Sequence, residues 1–239
     1  MSTRPDPKSP WGVRIWIPDS DFDLKMDAAR ALVSGNLFEP GRGVDVDSLL
    51  MRAYQVNPDF TDSLSSECLG RTNFLADGRF HVEVSRALAD EAVHSRVARR
   101  RLRSTLAHEC AHIVLHSVMH PVWAGPALFE EMTVRAPVVM CREPRVDATG
   151  IEWWELQANR GMGSLLMPRA IVKEQLGSWL ENNALASVSA ALAARKGEAL
   201  VRGLADVFDV NLPVVVYRLQ ELGFVAKSVG QGDLAFEER

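Results

Sequence analysis

Apolar residues recur along this chain at two spacings, and each spacing predicts a different kind of element. Strict alternation over residues 13–17, stopped by Pro18, predicts a short strand. A second alternating stretch, residues 72–85, contains Asp77-Gly78 at its centre, a favoured hairpin turn. In its second half one face of the strand carries Phe80, Val82 and Val84, and the other carries His81, Glu83 and Ser85. The stretch therefore predicts a half-buried hairpin.

Apolar residues at helical spacing predict most of the remaining elements. They indicate helices over residues 27–33, 90–119, 151–159, 170–179 and 184–194, and a helix, turn and helix over residues 200–224. Asp45 or Asp47 is expected to cap a further helix that carries Leu49 and Leu50. Polar, proline-containing residues 1–10 predict a disordered leader, and residues 121–149 predict a long irregular excursion.

These elements predict a mostly helical α+β fold with a small sheet. We expect an N-terminal strand and helix extension over residues 1–36 and a central domain over residues 37–180 that includes the excursion. Residues 181–239 are expected to form a helical, helix-turn-helix-like segment.

Composition narrows the class of protein. The net charge of −4 argues against a general nucleic-acid binder, which usually has a basic face. The three cysteines are widely spaced and form no CxxC pair, so they predict neither a disulfide framework nor a zinc ribbon. The first ten residues lack the apolar core of a signal peptide, and no apolar run is long enough to span a bilayer. We expect a soluble cytoplasmic protein with no membrane partner.

An HExxH motif, residues 108–112, lies inside a strongly helical stretch. Residues four apart on a helix are offset by only about 40°, so His108 and His112 can share one metal ion. Glu109 projects one step round the helix and is placed to accept a proton from water. The motif therefore predicts metalloprotease chemistry, against the simpler alternative of a helix with two surface histidines.

A catalytic zinc usually has three protein ligands, and the third would come from a second helix. Glu155 fits this role, and Asn159, four residues later, shares its face and could hydrogen-bond a ligand histidine. Glu152 is the rival carboxylate, one turn earlier on that helix. Glu152 can also be interpreted simply as a charged side chain in solvent, and the same interpretation applies to Glu130, Glu131 and Glu143.

In three places, in order along the chain, the sequence resembles the ImmA/IrrE-type metallopeptidases. Residues 69–72 with the Asp77-Gly78 hairpin resemble the family's segment ahead of the active helix. Residues 103–116 (RSTLAHECAHIVLH) resemble its RFTLAHExxHxxLH box. Residues 155–159 (ELQAN) followed by residues 165–168 (LLMP) resemble its ExEAN…LLMP box.

The resemblance implies a zincin-like metallopeptidase core with one zinc bound by His108, His112 and Glu155, and Glu109 as the general base. It also implies endopeptidase activity on a helix-turn-helix repressor of the XRE type, which would derepress stress, mobile-element or toxin-antitoxin genes. The sequence departs from the family pattern at positions that pack the two active-site helices together. These positions are Ser104, Gly161 and Met162.

Several roles stay open at this point. His116 continues the ladder of His108 and His112, and could support a ligand, stabilise the oxyanion or close the site as a fourth ligand. Other candidate oxyanion donors are Tyr54, His81 and Tyr217. Cys110 is expected to be a packed core thiol, whereas Cys141 is either an incidental cysteine or an inhibitory zinc ligand. The strand carrying Phe80, Val82 and Val84 is expected to be a sheet edge that accepts substrate as an added strand.

Two further features suggest other partners. The arginine run over residues 96–103 could bind phosphate, although such runs are more often solvated or contact an acidic partner. Residues 204–219 have helix-turn-helix spacing but a single arginine, Arg218, from Asp206 to Glu221, so direct nucleic-acid binding is not expected. The alternative function is a catalytically inactive zinc-binding or helix-turn-helix regulatory protein.

Overall fold

The computed structural model describes residues 2–119, the backbone of residues 138–142, and residues 152–226. The strands are β1 Ser2–Pro5, β2 Val13–Trp16, β3 Phe38–Glu39, β4 Gly43–Val44, β5 Asp59–Thr61, β6 Cys68–Phe74, β7 Phe80–Ser85 and β8 Val138–Arg142. The helices are α1 Asp19–Ala31, α2 Val46–Tyr54, α3 Arg86–His94, α4 Arg96–His116, α5 Trp153–Leu166, α6 Arg169–Asn182, α7 Val188–Ala193, α8 Gly197–Phe208 and α9 Leu212–Glu221. The expected α+β fold, mostly helical with small sheets, is confirmed. The domain boundaries stay a prediction.

The largest sheet described has the strand order β5-β7-β6-β8. The predicted hairpin is present, with β6 and β7 antiparallel and Thr72 opposite Val82. β7 pairs on its other side with β5 in parallel, and Val84 lies opposite Phe60. The expectation that Phe80, Val82 and Val84 form a sheet edge is therefore wrong at Val84, because β5 covers residues 83–85 of β7. The register of β5 does not reach Phe80 and Val82. Val82 and Val84 are instead fully buried core residues.

Three other predicted elements are corrected by the structure. The leader is not wholly disordered, since β1 pairs antiparallel with β2. The excursion contains β8, which pairs with β6. The second ligand helix continues past Asn159 and both glycines to Leu166, because close packing against α4 compensates for the weak helix propensity of glycine. By contrast, Asp45 caps α2 as expected, and its side chain accepts a hydrogen bond from the Ser48 N–H.

One buried hydrophobic core joins all three predicted segments of the chain. Trp11 comes from the first, Leu106 from the second and Phe208 from the third. α4 lies in the middle of this core, and its residues 105–113 are all buried. No helix in the described ranges is long and apolar enough to cross a membrane.

The C-terminal segment has the predicted helix, turn and helix, with Asp209 in the left-handed region at φ +48° between α8 and α9. Arg218, on the second of these helices, is buried and bonded to Asp23 and to the Met167 carbonyl oxygen. It is therefore not available to a phosphate. Three residues of the arginine run form ion pairs with acidic residues at the end of α8, so this part of the run contacts an acidic partner within the chain.

Candidate metal centre

Two packed helices, α4 and α5, bring the candidate ligands together. α4 carries His108 and His112, which are almost completely buried, and α5 carries Glu155. The two helices approach closely at Gly161, where an added Cβ would lie 2.8 Å from the Cβ of Ala111. A larger residue at position 161 would push α5, and the Glu155 carboxylate with it, away from the histidines.

Three donor atoms converge at this site. His108 Nε2 lies 2.9 Å from His112 Nε2 and 3.1 Å from Glu155 Oε2, and His112 Nε2 lies 3.4 Å from Glu155 Oε1. Ligand atoms bound tetrahedrally at ~2.0–2.1 Å from zinc lie about 3.3 Å apart. Each imidazole faces a different oxygen of Glu155, and the three observed separations lie close to the spacing of atoms that share one zinc ion. In the described part of the chain, these three residues form the group with metal-ligand spacing.

Hydrogen bonds on the far side of each ring fix which imidazole nitrogen carries the proton. His108 Nδ1 lies 3.1 Å from the Asn159 side-chain oxygen, an acceptor, so Nδ1 is the donor and Nε2 keeps its lone pair. The Gln157 amide N–H donates to the Ile15 carbonyl at 2.9 Å, so its oxygen faces His116 Nε2 at 3.1 Å.

The same reasoning extends from His116 to the second candidate ligand. Because its Nε2–H donates to Gln157, the neutral His116 accepts at Nδ1, 3.0 Å from His112 Nδ1. His112 Nδ1 is therefore a donor, and its Nε2 also keeps a lone pair. Two imidazole lone pairs and a carboxylate then face one another with no proton to share, an arrangement that a cation would stabilise.

Burial and charge maintain these protonation states. Burial lowers the pKa of His112, and burial together with His112 lowers the pKa of His116 to about 3. Burial raises the pKa of Glu155, but the attraction of His112 and His108 in their protonated forms outweighs burial, so the pKa lies below its usual range. Neutral imidazoles and an ionised carboxylate are the forms that bind zinc.

Glu109 lies beside this group, on the side of the sheet. Its Oε2 accepts a 2.5 Å hydrogen bond from the Thr72 hydroxyl on β6, and its buried Oε1 has no hydrogen-bond partner among the described residues. An added Cβ at Gly70 would lie 2.7 Å from Oε1, so the strand approaches the carboxylate closely because residue 70 has no side chain. Burial raises the pKa of Glu109 to about 8, against the opposing effects of His108 and Thr72.

The other sequence-derived candidates lie outside the three-residue group. Glu152 is the exposed residue before α5, and His116 contacts His112 Nδ1 rather than the converging Nε2 atoms. His81 is exposed near Asp59, and Tyr217 is hydrogen-bonded to Glu221. The remaining residues considered earlier have these positions. Tyr54 lies near the buried Cys110, while Glu130, Glu131, Glu143 and the side chain of Cys141 lie outside the described residues.

Sequence analysis missed three contributors to the site: Thr72, Gln157 and the N-terminal Trp11. The Trp11 ring packs against His116 with 5.1 Å between ring centroids. The spacing of Gln157, two residues after Glu155, gives no sign that it faces a histidine, because its partner is set by tertiary packing. No protein-family model matches this chain, and a search of curated proteins also finds no match.

Proposed function

We propose that this chain is a zinc-dependent endopeptidase of the ImmA/IrrE type, with a zincin-like core, that cleaves an XRE-type helix-turn-helix repressor. The observation that carries the proposal is the convergence of two imidazole lone pairs and the Glu155 carboxylate beside a buried second carboxylate, Glu109. Two nitrogens and one oxygen are the donor set of a hydrolytic zinc site with one open position.

His108, His112 and Glu155 would hold one zinc per chain, with Asn159 and His116 fixing the two rings. When bound, zinc supplies Lewis acidity that polarises a peptide carbonyl and makes water more acidic. The Nδ1 partners, Asn159 and His116, keep the rings from rotating, so the site is organised before any substrate arrives.

Glu109 would act as the general base. Burial raises the pKa of Glu109 above that of an ordinary carboxylate, and a raised pKa suits a group that must take a proton from water and return it to the leaving amine. The Thr72 hydroxyl holds Oε2, which leaves Oε1 as the oxygen to exchange that proton. Thr72 is thus a positioning residue for Glu109.

The repressor substrate follows from the motif resemblance, whereas the cytoplasmic location follows from the cysteine pattern and the sequence composition. The burial of Arg218 favours the peptidase over the regulatory alternative, because the one arginine of α9 is bonded to Asp23 and not to solvent. A helix-turn-helix that binds DNA needs several free cations for the phosphates.

The test has two readouts, zinc content and cleavage. Elemental analysis after mild chelation and dialysis should give about one zinc per chain in wild type, Glu152→Ala and Glu109→Gln, and little in Glu155→Ala. Incubation with XRE-type repressors of the source organism should give cleavage by wild type and Glu152→Ala only. Glu152→Ala is the matched control, since it removes a carboxylate from the same helix end.

Two outcomes would overturn the proposal. Zinc-free protein that stays zinc-free after zinc is added back would remove the peptidase assignment. Full zinc occupancy with cleavage unchanged in Glu109→Gln would remove the general-base role. Zinc binding combined with a biological effect that does not need Glu109 would favour the zinc-binding regulatory function.

A further inference from the structure

A second cavity, of about 450 Å³, lies near the other end of α4. It forms where the loop between β3 and β4, the first turns of α4 and the turn after α8 meet. Its lining consists of Gly41, Arg42, Arg96, Arg99, Arg103 and Asp209. The lining residues of α4 precede His108 by five to twelve residues, or about 7.5 to 18 Å along the helix. None of His108, His112 and Glu155 lines this cavity, so it is separate from the candidate metal centre.

The cavity has more positive than negative charge. Asp206 and Asp209 are shared among three arginines of α4, which leaves one positive charge in surplus. The pairs are Arg96–Asp206, Arg100–Asp206, Arg100–Asp209 and Arg103–Asp209, at 2.7 to 3.0 Å. Arg99 is exposed, lines the cavity and forms no ion pair with any described residue. Among the described residues, Arg42 forms its ion pair with Glu39, at 3.4 Å, and its side chain is 80% exposed.

The wall of the cavity is held by buried groups. Asp209, which is 6% exposed, binds Arg103 through Oδ2 at 2.7 Å and through its carbonyl oxygen at 3.2 Å. The Gly41 N–H donates to the Val207 carbonyl at 2.8 Å. Gly43 has φ +73°, and an added Cβ would lie 2.2 Å from the Phe208 carbonyl oxygen. The loop between β3 and β4 is therefore fixed against the C-terminal end of α8, and the arginines project from a rigid surface.

We propose that this arginine cavity binds a compact polyanion, with a diphosphate group as the chemical class. A guanidinium presents N–H donors in a planar fork that fits phosphate oxygens. At least three arginines that line the cavity have N–H donors that their ion pairs do not use. The cavity is larger than one phosphate needs, but no aromatic or aliphatic side chain lines it among the described residues. A nucleobase or an acyl chain would thus gain no apolar contact there, whereas linked phosphates would use several guanidinium groups.

The test is calorimetric titration of the full-length protein with inorganic pyrophosphate at low ionic strength, with inorganic phosphate and a short DNA duplex as parallel titrants. We expect one pyrophosphate per chain, bound more tightly than phosphate. The pocket variant, Arg42→Ala with Arg99→Ala, should weaken binding about tenfold or more, because each lost charge-assisted contact contributes strongly to anion binding. Neither residue contacts the acidic pair on α8, so zinc content and melting temperature should stay as in wild type.

The matched control is Arg79→Ala with Arg202→Ala, which removes the same charge from two exposed arginines outside the cavity. Pyrophosphate affinity should change less than about twofold in this control. No pyrophosphate binding by wild type at millimolar concentration, or an equal loss in both double variants, would overturn the proposal. Tighter binding of the DNA duplex that the pocket variant abolishes would also overturn it, since the surface would then be a nucleic-acid contact.

Discussion

Replacing Gln157 by leucine should weaken zinc binding without touching any ligand. The glutamine amide bridges His116 Nε2 at 3.1 Å and the Ile15 carbonyl at 2.9 Å. Leucine is similar in size but offers neither donor nor acceptor. The His116 N–H and the Ile15 carbonyl would then each lose a partner inside the protein.

The magnitude follows from those two losses. An unsatisfied buried polar group costs about 1–3 kcal/mol, so with two such groups the metal-free protein should lose roughly 2–6 kcal/mol of unfolding free energy. His116 would no longer be held with its proton on Nε2, and His112 would no longer be held with its proton on Nδ1. A proton on His112 Nε2 competes directly with the cation, and loss of such a supporting partner typically reduces metal affinity about 10–100-fold.

Zinc affinity is measured by competition with a chromophoric chelator, and stability by urea unfolding of the metal-free protein. Gln175→Leu, the same change on α6, is the control and should retain zinc affinity. Wild-type zinc affinity in a folded Gln157→Leu protein would refute the assigned chain of proton donors and acceptors. Loss of stability with unchanged affinity would show that the bridge is structural and does not set the His112 tautomer.

Three other substitutions test the packing and the charges around the site by urea unfolding. Gly161→Ala should lower the free energy of unfolding by about 1–2 kcal/mol, because the new Cβ would lie 2.8 Å from the neighbouring helix. Gly177 has open space around it, so Gly177→Ala should raise the free energy of unfolding by up to about 1 kcal/mol. Equal effects of the two substitutions would contradict tight packing at Gly161. The hydrogen bond from Arg71 lowers the pKa of Glu83. The contribution of this ion pair to the stability of the protein is therefore complete above the ordinary pKa of 4.5, and it is lost as the pH falls through the lowered pKa. Glu83→Gln should therefore flatten the loss of stability in acid, and an unchanged pH profile would refute this. Asp209→Asn should lower the unfolding free energy by about 1–3 kcal/mol. Asparagine tolerates the positive φ but removes the charge that binds Arg100 and Arg103, while Arg100 keeps its bond to Asp206. An unchanged unfolding free energy would mean that solvent already screens the cluster.

Local signals in the sequence predicted the elements whose geometry is set by neighbouring residues. The Asp45 cap, the Asp77-Gly78 hairpin and the helix around the HExxH motif all depend on contacts a few residues apart. The same local geometry predicted that His108 and His112 share a face, and a helical spacing placed Asn159 on the face of Glu155.

Features set by distant residues were missed. β7 has the alternation of an edge strand, but β5 covers its residues 83–85, and nothing in residues 80–85 encodes that partner. The leader forms β1 only because β2 is available to it. α5 continues through Gly161 because α4 packs so closely at this position that a side chain would not fit between the two helices. Local propensity therefore gave the wrong end for this helix.

The bond between Gln157 and Ile15 joins residues that are 142 apart in the chain, and this separation has a consequence for folding. His108 and His112 adopt their relative position as soon as the turn of α4 that carries them forms, so that turn alone offers two imidazoles to a metal. The Glu155 oxygen and the fixed tautomer of His112 arrive only when the first strand pair and α5 close around that helix. Zinc affinity should therefore rise in steps as the chain folds, and metal captured early would be held firmly only by the completed topology.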